Sequence, residues 1–241
     1  MNKRAKFGFR EVETTEKEPL VQSVFSSVAS NYDLMNNLMS FGLHKQWKKA
    51  LIAEISPGPD ETLIDVAGGT GDVAHGFLQA GGGGATVVDL NQEMLAVGRQ
   101  KLASQRLEWV HANAQELPFH DNSFDYYTIS FGLRNVTHID MVLREAFRVL
   151  KPGGKFLCLE FSQVTTPILR KIYDFYSFRV IPTMGKLVAS DEEAYRYLVE
   201  SIKGFEPAPR LVKLIEAAGF SNVYYIKLTF GVVAIHIGYK L

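Results

Sequence analysis

Thr62-Leu-Ile-Asp-Val-Ala-Gly-Gly-Thr-Gly-Asp72 is the stretch on which the fold turns. Its apolar half, 62–67, reads as a strand. Glycines at 68, 69 and 71 follow, and a helical pattern opens at about Asp72 and runs to Gln79. Glycine lacks a Cβ, so the backbone there can approach a ligand closely, and a helix start presents unpaired amides. Asp89 closes the next apolar run, 85–90, eighteen residues after Gly71. A carboxylate so placed can accept from both the 2′- and 3′-hydroxyls of a ribose. A charged hydrogen bond of that kind contributes ~1.5–3 kcal/mol.

Outward from this point the chain alternates. Strands are expected at 107–111, 124–131 and 155–161, with helices at 92–102 and 139–150 between them. Pro152-Gly-Gly154 reads as a turn. Such alternation predicts a mostly parallel sheet covered on both faces. The last quarter differs. A helix at 211–218 is closed by Gly219, and strands 223–229 and 232–239 follow with only a short connection, so they must be antiparallel. The fold class is therefore α/β: a doubly wound, mostly parallel, seven-stranded sheet, Rossmann-like, with an antiparallel C-terminal hairpin. Before the sheet, residues 20–56 carry a helical spacing, ended by Ser56-Pro-Gly-Pro-Asp60. Residues 1–19 are polar and read as a mobile tail ending near Pro19. The remainder, 20–241, reads as one domain. Its segment 162–207 is helical in pattern and rich in aromatics, including Tyr173, Phe175, Tyr176 and Phe178. It projects from the carboxyl end of a strand, where open α/β sheets bind ligands, and is expected to form either extra core or a lid over an apolar substrate. The Gly81–Gly84 run reads as a short flexible loop.

Composition narrows the function classes. Lys+Arg and Asp+Glu both number 26, for a formal net charge of zero, which disfavours a nucleic-acid binder working by bulk charge. The single cysteine, Cys158, excludes an internal disulfide and suits a reducing compartment. It lies in an apolar run and reads as a buried structural thiol. No apolar stretch approaches the ~20 residues needed to span a bilayer, and the acidic start does not suit a transit peptide. A cytoplasmic protein is expected. The six histidines are scattered without ligand-like spacing, so no metal is expected.

Two cofactors fit the glycine loop. Gly69-Thr-Gly71-Asp-Val-Ala74 formally matches the dinucleotide pattern, which makes a nicotinamide enzyme a rival. Three features favour S-adenosylmethionine. Asp65, before the glycines, can meet its ammonium group but would repel a pyrophosphate. About sixty residues precede the first sheet strand. The closing hairpin is foreign to the usual dinucleotide sheet. The candidate cofactor residues are thus Asp65, Gly69, Gly71 and Asp89. Asn113 or its neighbouring amides, after the third strand, lie beside an adenine, and Ser130, ending the fourth, lies near the sulfonium.

The sequence also resembles the UbiE family of ubiquinone/menaquinone biosynthesis C-methyltransferases, within the class I methyltransferases. Two long signatures carry the likeness: Tyr32-Asp-Leu-Met-Asn-Asn-Leu-Met-Ser-Phe-Gly-Leu-His-Lys-Gln-Trp47 and Arg148-Val-Leu-Lys-Pro-Gly-Gly-Lys-Phe-Leu-Cys-Leu-Glu-Phe-Ser162. Ile129-Ser-Phe-Gly-Leu-Arg-Asn135 and Tyr173-Asp-Phe-Tyr-Ser-Phe178 add to it, and the likeness spans about 20–241. It implies cofactor contacts at Thr70, Asp89, Asn113, Ala114 and Ser130. It implies a polyprenyl quinol substrate, and it is compatible with peripheral contact at the inner face of a membrane and with a homo-oligomer or a quinone-biosynthesis complex.

Methylating a ring carbon requires that the neighbouring phenol lose its proton or be polarised. Arg134, just past the fourth strand, is the first candidate for stabilising the phenolate, because it stays charged at neutral pH. Asn135 and Tyr32 are the next candidates, with Asp33 and His44 after them. An N-methyltransferase of nucleic acid or protein would often carry an Asn/Asp-Pro-Pro-Tyr box where this chain has Ser130-Phe-Gly-Leu-Arg-Asn135. A non-catalytic scaffold that binds the cofactor or a lipid is the remaining alternative.

Overall fold

The computed structural model describes residues 4–28, 36–37, 40–164, 176–180 and 192–241. Seven strands form the main sheet: β3 (Thr62–Val66), β4 (Gly84–Asp89), β5 (Leu107–His111), β6 (Phe124–Ser130), β7 (Leu150–Phe161), β8 (Ser221–Leu228) and β9 (Val233–Tyr239). Their order is β5-β4-β3-β6-β7-β9-β8. The pairs from β5 to β7 are parallel, and β9 runs antiparallel to both β7 and β8. The expected seven strands and their terminal hairpin are all present. The chain steps outward from β3 through β4 to β5, then returns to place β6 on the other side of β3. The carboxyl ends of β3 and β6 therefore flank the switch point where such sheets bind ligands.

The helices are α1 (Thr14–Val28), α2 (Leu43–Ile55), α3 (Asp72–Gln79), α4 (Gln92–Lys101), α5 (Ile139–Val149), α6 (Glu192–Lys203) and α7 (Ala208–Ala217). Both sheet faces are covered. Ile64, Val66, Phe156 and Cys158 pack toward α5 and α7, through Val142, Leu143, Leu211 and Ile215. Leu63, Leu157, Leu159, Ile235 and Ile237 pack on the opposite face with Trp47 and Leu51 of α2 and Phe77 of α3. Two buried faces explain why these strands read as continuous apolar runs.

Three sequence expectations require correction. Residues 1–19 are not a plain tail. Arg4–Phe7 (β1) and Arg10–Glu13 (β2) pair antiparallel, with Arg4 opposite Glu13 and Phe7 opposite Arg10. Phe7 is buried and stacks on Tyr197 of α6 at 4.2 Å, and the Phe9 amide donates to Glu200 at 3.0 Å. The helix starts at Thr14, where Glu16 reaches back to accept from the Glu13 amide at 3.0 Å, and Pro19 lies inside it. Second, the helical stretch 20–56 is interrupted. Phe41 and Gly42 are both left-handed (φ 50° and 74°) just before α2. Third, Pro152-Gly-Gly154, expected as a turn ahead of the strand 155–161, lies within the strand. β7 runs on from Leu150, with Lys151, Pro152, Gly153 and Gly154 set against the single residue Asp125 of β6 in an irregular register.

Candidate active site

The turn after β3 is shaped by glycine. Gly69 (φ 57°) and Gly71 (φ 78°) are left-handed, and a Cβ on Gly71 would sit 2.7 Å from the Trp109 ring. Two non-glycine residues share this backbone region: Ala67 at the end of β3 (φ 51°) and Phe131 at the end of β6 (φ 57°). Such residues cost of order 1–3 kcal/mol each and cluster at functional sites. The two turns touch, because a Cβ on Gly132 would lie 2.5 Å from the Ala67 Cβ.

Asp89 ends β4 and fastens the loop. One carboxylate oxygen accepts from the Gly69 amide and the other from the Asn91 amide, both at 2.8 Å. Burial pushes its carboxyl up, and those amides oppose the shift. Together these turns wall a cleft with about 810 Å3 of empty space counting its open mouth. Gly69, Asp89, Asn113, Ala114, Ser130 and Asn135 meet in this wall. Ser130 Oγ is buried there without a hydrogen-bond partner.

Not every candidate reaches the wall. Thr70 is buried behind the loop, and neither it nor Gly71 lines the cleft. Asp65 is fully buried beneath Gly68 rather than facing the cleft, a position the linear sequence could not show. Thr128 donates to its Oδ1 at 2.8 Å, while Oδ2 has no partner. Burial raises its carboxyl to about 7, against the opposing Thr128 hydroxyl and Lys48 charge. Tyr32 and Asp33, candidates on the acceptor side, lie outside the described residues.

The roof of the cleft comes from α1, through Glu18, Val21, Gln22 and Phe25. Hydrogen bonds from three side chains of the cleft and helix hold it down. Lys17 Nζ donates to the Val136 carbonyl at 2.8 Å, Asn113 Nδ2 to Glu18 at 2.9 Å, and Asn91 Nδ2 to Ser26 at 3.0 Å. Burial lowers the Lys17 ammonium to about 8. Sequence reading missed this roof because it assigned the first half of the helix to a tail.

A second, mostly apolar cavity adjoins the first and shares Phe25 and Phe131 with it. Trp47, Phe161, Leu198, His44, Lys48 and Arg134 complete most of its lining. Arg134 is not an exposed cation. It is buried and paired with Glu160 at 3.0 Å, donates to the Phe131 carbonyl, and lies over the Phe161 ring at 5.4 Å. Burial raises the Glu160 carboxyl, and the Arg134 charge opposes that rise. Glu160 was not picked out from the sequence; its position in an apolar strand, beside no obvious partner, was the available signal. Asn135 accepts from the Tyr197 hydroxyl at 3.0 Å, which ties α6 to the turn after β6. Ser40 donates its one hydroxyl proton to the Asn36 carbonyl at 2.7 Å. The 2.9 Å contact between Ser40 Oγ and His44 Nδ1 is therefore donated by the ring, which makes Nε2 its basic nitrogen.

Cys158, expected as a buried thiol, is buried and in no disulfide. Among the described residues no group of His, Cys, Asp and Glu is arranged to hold a metal ion, and no helix is long and apolar enough to cross a membrane.

The strand order, the reversed last strand, the glycine turn and the acid at the end of β4 define a class I methyltransferase fold. Solved structures agree. A SAM-dependent methyltransferase from Thermotoga maritima superposes with a TM-score of 0.63 at 18% identity, over 92% of this chain and all of that one. One from Aquifex aeolicus gives 0.58 at 16% identity, over 80% and 89%. The chain belongs to the ubiE/COQ5 methyltransferase family, whose model matches residues 12–240. It is 52% identical to the ubiquinone/menaquinone biosynthesis C-methyltransferase UbiE of Brucella abortus (strain S19), over 98% of this chain and 90% of that one. It is 47% identical to the mitochondrial 2-methoxy-6-polyprenyl-1,4-benzoquinol methylase of Dictyostelium discoideum, over the whole chain and 87% of that protein.

Proposed function

We propose that this enzyme transfers the methyl group of S-adenosylmethionine to a ring carbon of a polyprenylated benzoquinol or naphthoquinol. The observation that carries this reading is the pair of adjoining cavities, one walled by the glycine turn and Asp89, one aromatic, with Phe25 and Phe131 as common walls. The residues of the first fit the cofactor. Asp89 has a carboxylate in the wall for a ribose, Gly69 leaves room for close approach, and Ser130 Oγ is an unpartnered buried hydroxyl. The bound cofactor supplies an already activated methyl group. The protein's task is to hold the acceptor carbon in line with it, and positioning of this kind can supply ~7–11 kcal/mol.

The aromatic walls exclude water and hold a planar ring. Arg134 donates hydrogen bonds to the developing phenolate oxygen. With Glu160 beside it, its action is directional rather than that of a bare charge. His44 lines the same cavity and is a candidate for taking the phenolic proton. α6, in the segment expected to be extra core or a lid, contributes Leu198 to the wall and serves as the described part of a lid. A long prenyl tail requires delivery from a membrane, and exposed rings are available for peripheral contact. Phe41 packs on Tyr176 at 5.3 Å and Phe9 on Phe178 at 6.2 Å, with Phe9, Phe41 and Phe178 exposed. Phe175 lies outside the described residues.

Incubating the protein with radiolabelled S-adenosylmethionine and short-tailed demethylated quinols tests the reaction. Label should enter the ring carbon of the quinol; label in neither a benzoquinol nor a naphthoquinol would refute the proposal. Phe178→Ser should weaken binding to liposomes, and unchanged sedimentation with lipid would remove that residue from the membrane contact.

A further inference from the structure

Asn113 is the residue that sequence position assigns to the adenine edge, but its amide oxygen and one of its amide N–H groups are engaged in the wall. Its Oδ1 accepts from the Gln115 amide at 2.9 Å and from Gln115 Nε2 at 3.2 Å. Its Nδ2 donates to Glu18 Oε2 at 2.9 Å. The orientation is fixed by chemistry. A backbone amide on one side requires the oxygen there, and a carboxylate on the other requires the NH2. Gln115 must then direct its NH2 at Asn113, which leaves its Oε1 buried without a partner.

The end of the cleft beyond Asp89 therefore holds two side-chain acceptor atoms that these bonds leave unused. Glu18 and Gln115 both line it. Glu18 Oε2 receives Asn113, while Oε1 takes part in no hydrogen bond among the described residues. A ribose held on Asp89 extends its base toward 112–115, because Ala112 bonds directly to the Asp89 backbone at 3.2 Å. The exocyclic amine of adenine is a two-proton donor, and the acceptors at this end match it.

Resting on the cofactor reading above, we infer that the carboxylate of Glu18, carried in on α1, recognises the exocyclic amine of the cofactor's adenine. Asn113 is a positioning residue that holds Glu18, and Gln115 Oε1 is the second acceptor. The base-recognition site is then completed only when α1 is in place. A base with a carbonyl where adenine has its amine would set oxygen against oxygen. Sites built to hydrogen-bond a ligand group reject analogues that cannot reciprocate.

Calorimetry with S-adenosylhomocysteine and S-inosylhomocysteine tests this on the full-length protein, without turnover. The wild type should bind the adenosyl ligand roughly ten- to a hundredfold more tightly than the inosyl one. Glu18→Ala should reduce that ratio roughly tenfold, and Glu18→Gln, whose amide can donate to the carbonyl, should lower it further. Thermal melting of both variants establishes that they are folded. Equal affinity of the wild type for the two ligands overturns the role of Glu18 and leaves the cofactor reading intact. So does an unchanged ratio in the folded variants. Failure of the wild type to bind either ligand overturns the cofactor reading itself, and the inference with it.

Discussion

Asp65→Asn offers a quantitative test of how the glycine loop is supported. The carboxyl has no solvent access, one hydrogen bond and one unpartnered oxygen, and burial raises it to about 7. In the unfolded chain it returns to 3.8. Between these values the folded protein keeps a proton that the unfolded chain releases. Stability must therefore fall as pH rises through roughly 4 to 7, and the loss is complete above about 7. The interval corresponds to about 4 kcal/mol. Asparagine keeps the acceptor for Thr128 and cannot ionise. Its new NH2 lacks an assured acceptor, which costs ~1–3 kcal/mol at every pH. The slope, not the offset, is thus the diagnostic quantity. Urea denaturation of both proteins at several pH values from 4 to 8.5 should show the variant gaining on the wild type by a few kcal/mol, nearly all of it below pH 7.5. Parallel curves would refute the buried, protonated state of Asp65. If the cofactor's ammonium also reaches this group, binding S-adenosylhomocysteine at pH 6 should release a proton from the wild type but not from the variant. Calorimetry in buffers of different ionisation enthalpy measures this.

Asp89→Ala should weaken S-adenosylhomocysteine binding by ~2–3 kcal/mol, roughly 30- to 150-fold. It should also lower the melting temperature, because the Gly69 and Asn91 amides lose their acceptor; unchanged affinity by calorimetry would remove it from the ribose. Arg134→Ala should abolish most turnover while leaving cofactor affinity within a few-fold. It should also destabilise the fold by ~3–5 kcal/mol, since Glu160 is left buried and unpaired. Denaturation and initial rates measured together check both halves, and the double variant Arg134→Met with Glu160→Leu should recover stability without activity.

The sheet was legible because buried parallel strands leave apolar runs that few other structures produce, and because the terminal strands are too closely joined to be anything but a hairpin. The glycine turn and Asp89 were legible for a local reason, since spacing along two strands fixes where their ends meet. The amino-terminal elements were hidden by charge. β1 and β2 carry Arg4, Lys6, Arg10, Glu11 and Glu13, and only Phe7 is buried. Their order comes from Tyr197 and Glu200, nearly two hundred residues away. Pro19 pointed to a boundary that the helix overrides, although Glu16 stood three residues after Glu13, placed to accept from its amide. Arg134 was found, but its state was not. Glu160 stands twenty-six residues further on, and only the pairing of β6 with β7 brings the two charges together.

The roof helix also bears on how the protein is handled. Its first residues continue directly from the β1–β2 hairpin, which is fastened to α6 through Tyr197 and Glu200, so an affinity handle added ahead of that hairpin pulls on the helix that roofs the cleft. A handle beyond Leu241 follows β9, whose Tyr239 pairs with Lys155 near the amino ends of the parallel strands, at the end of the sheet opposite the cleft.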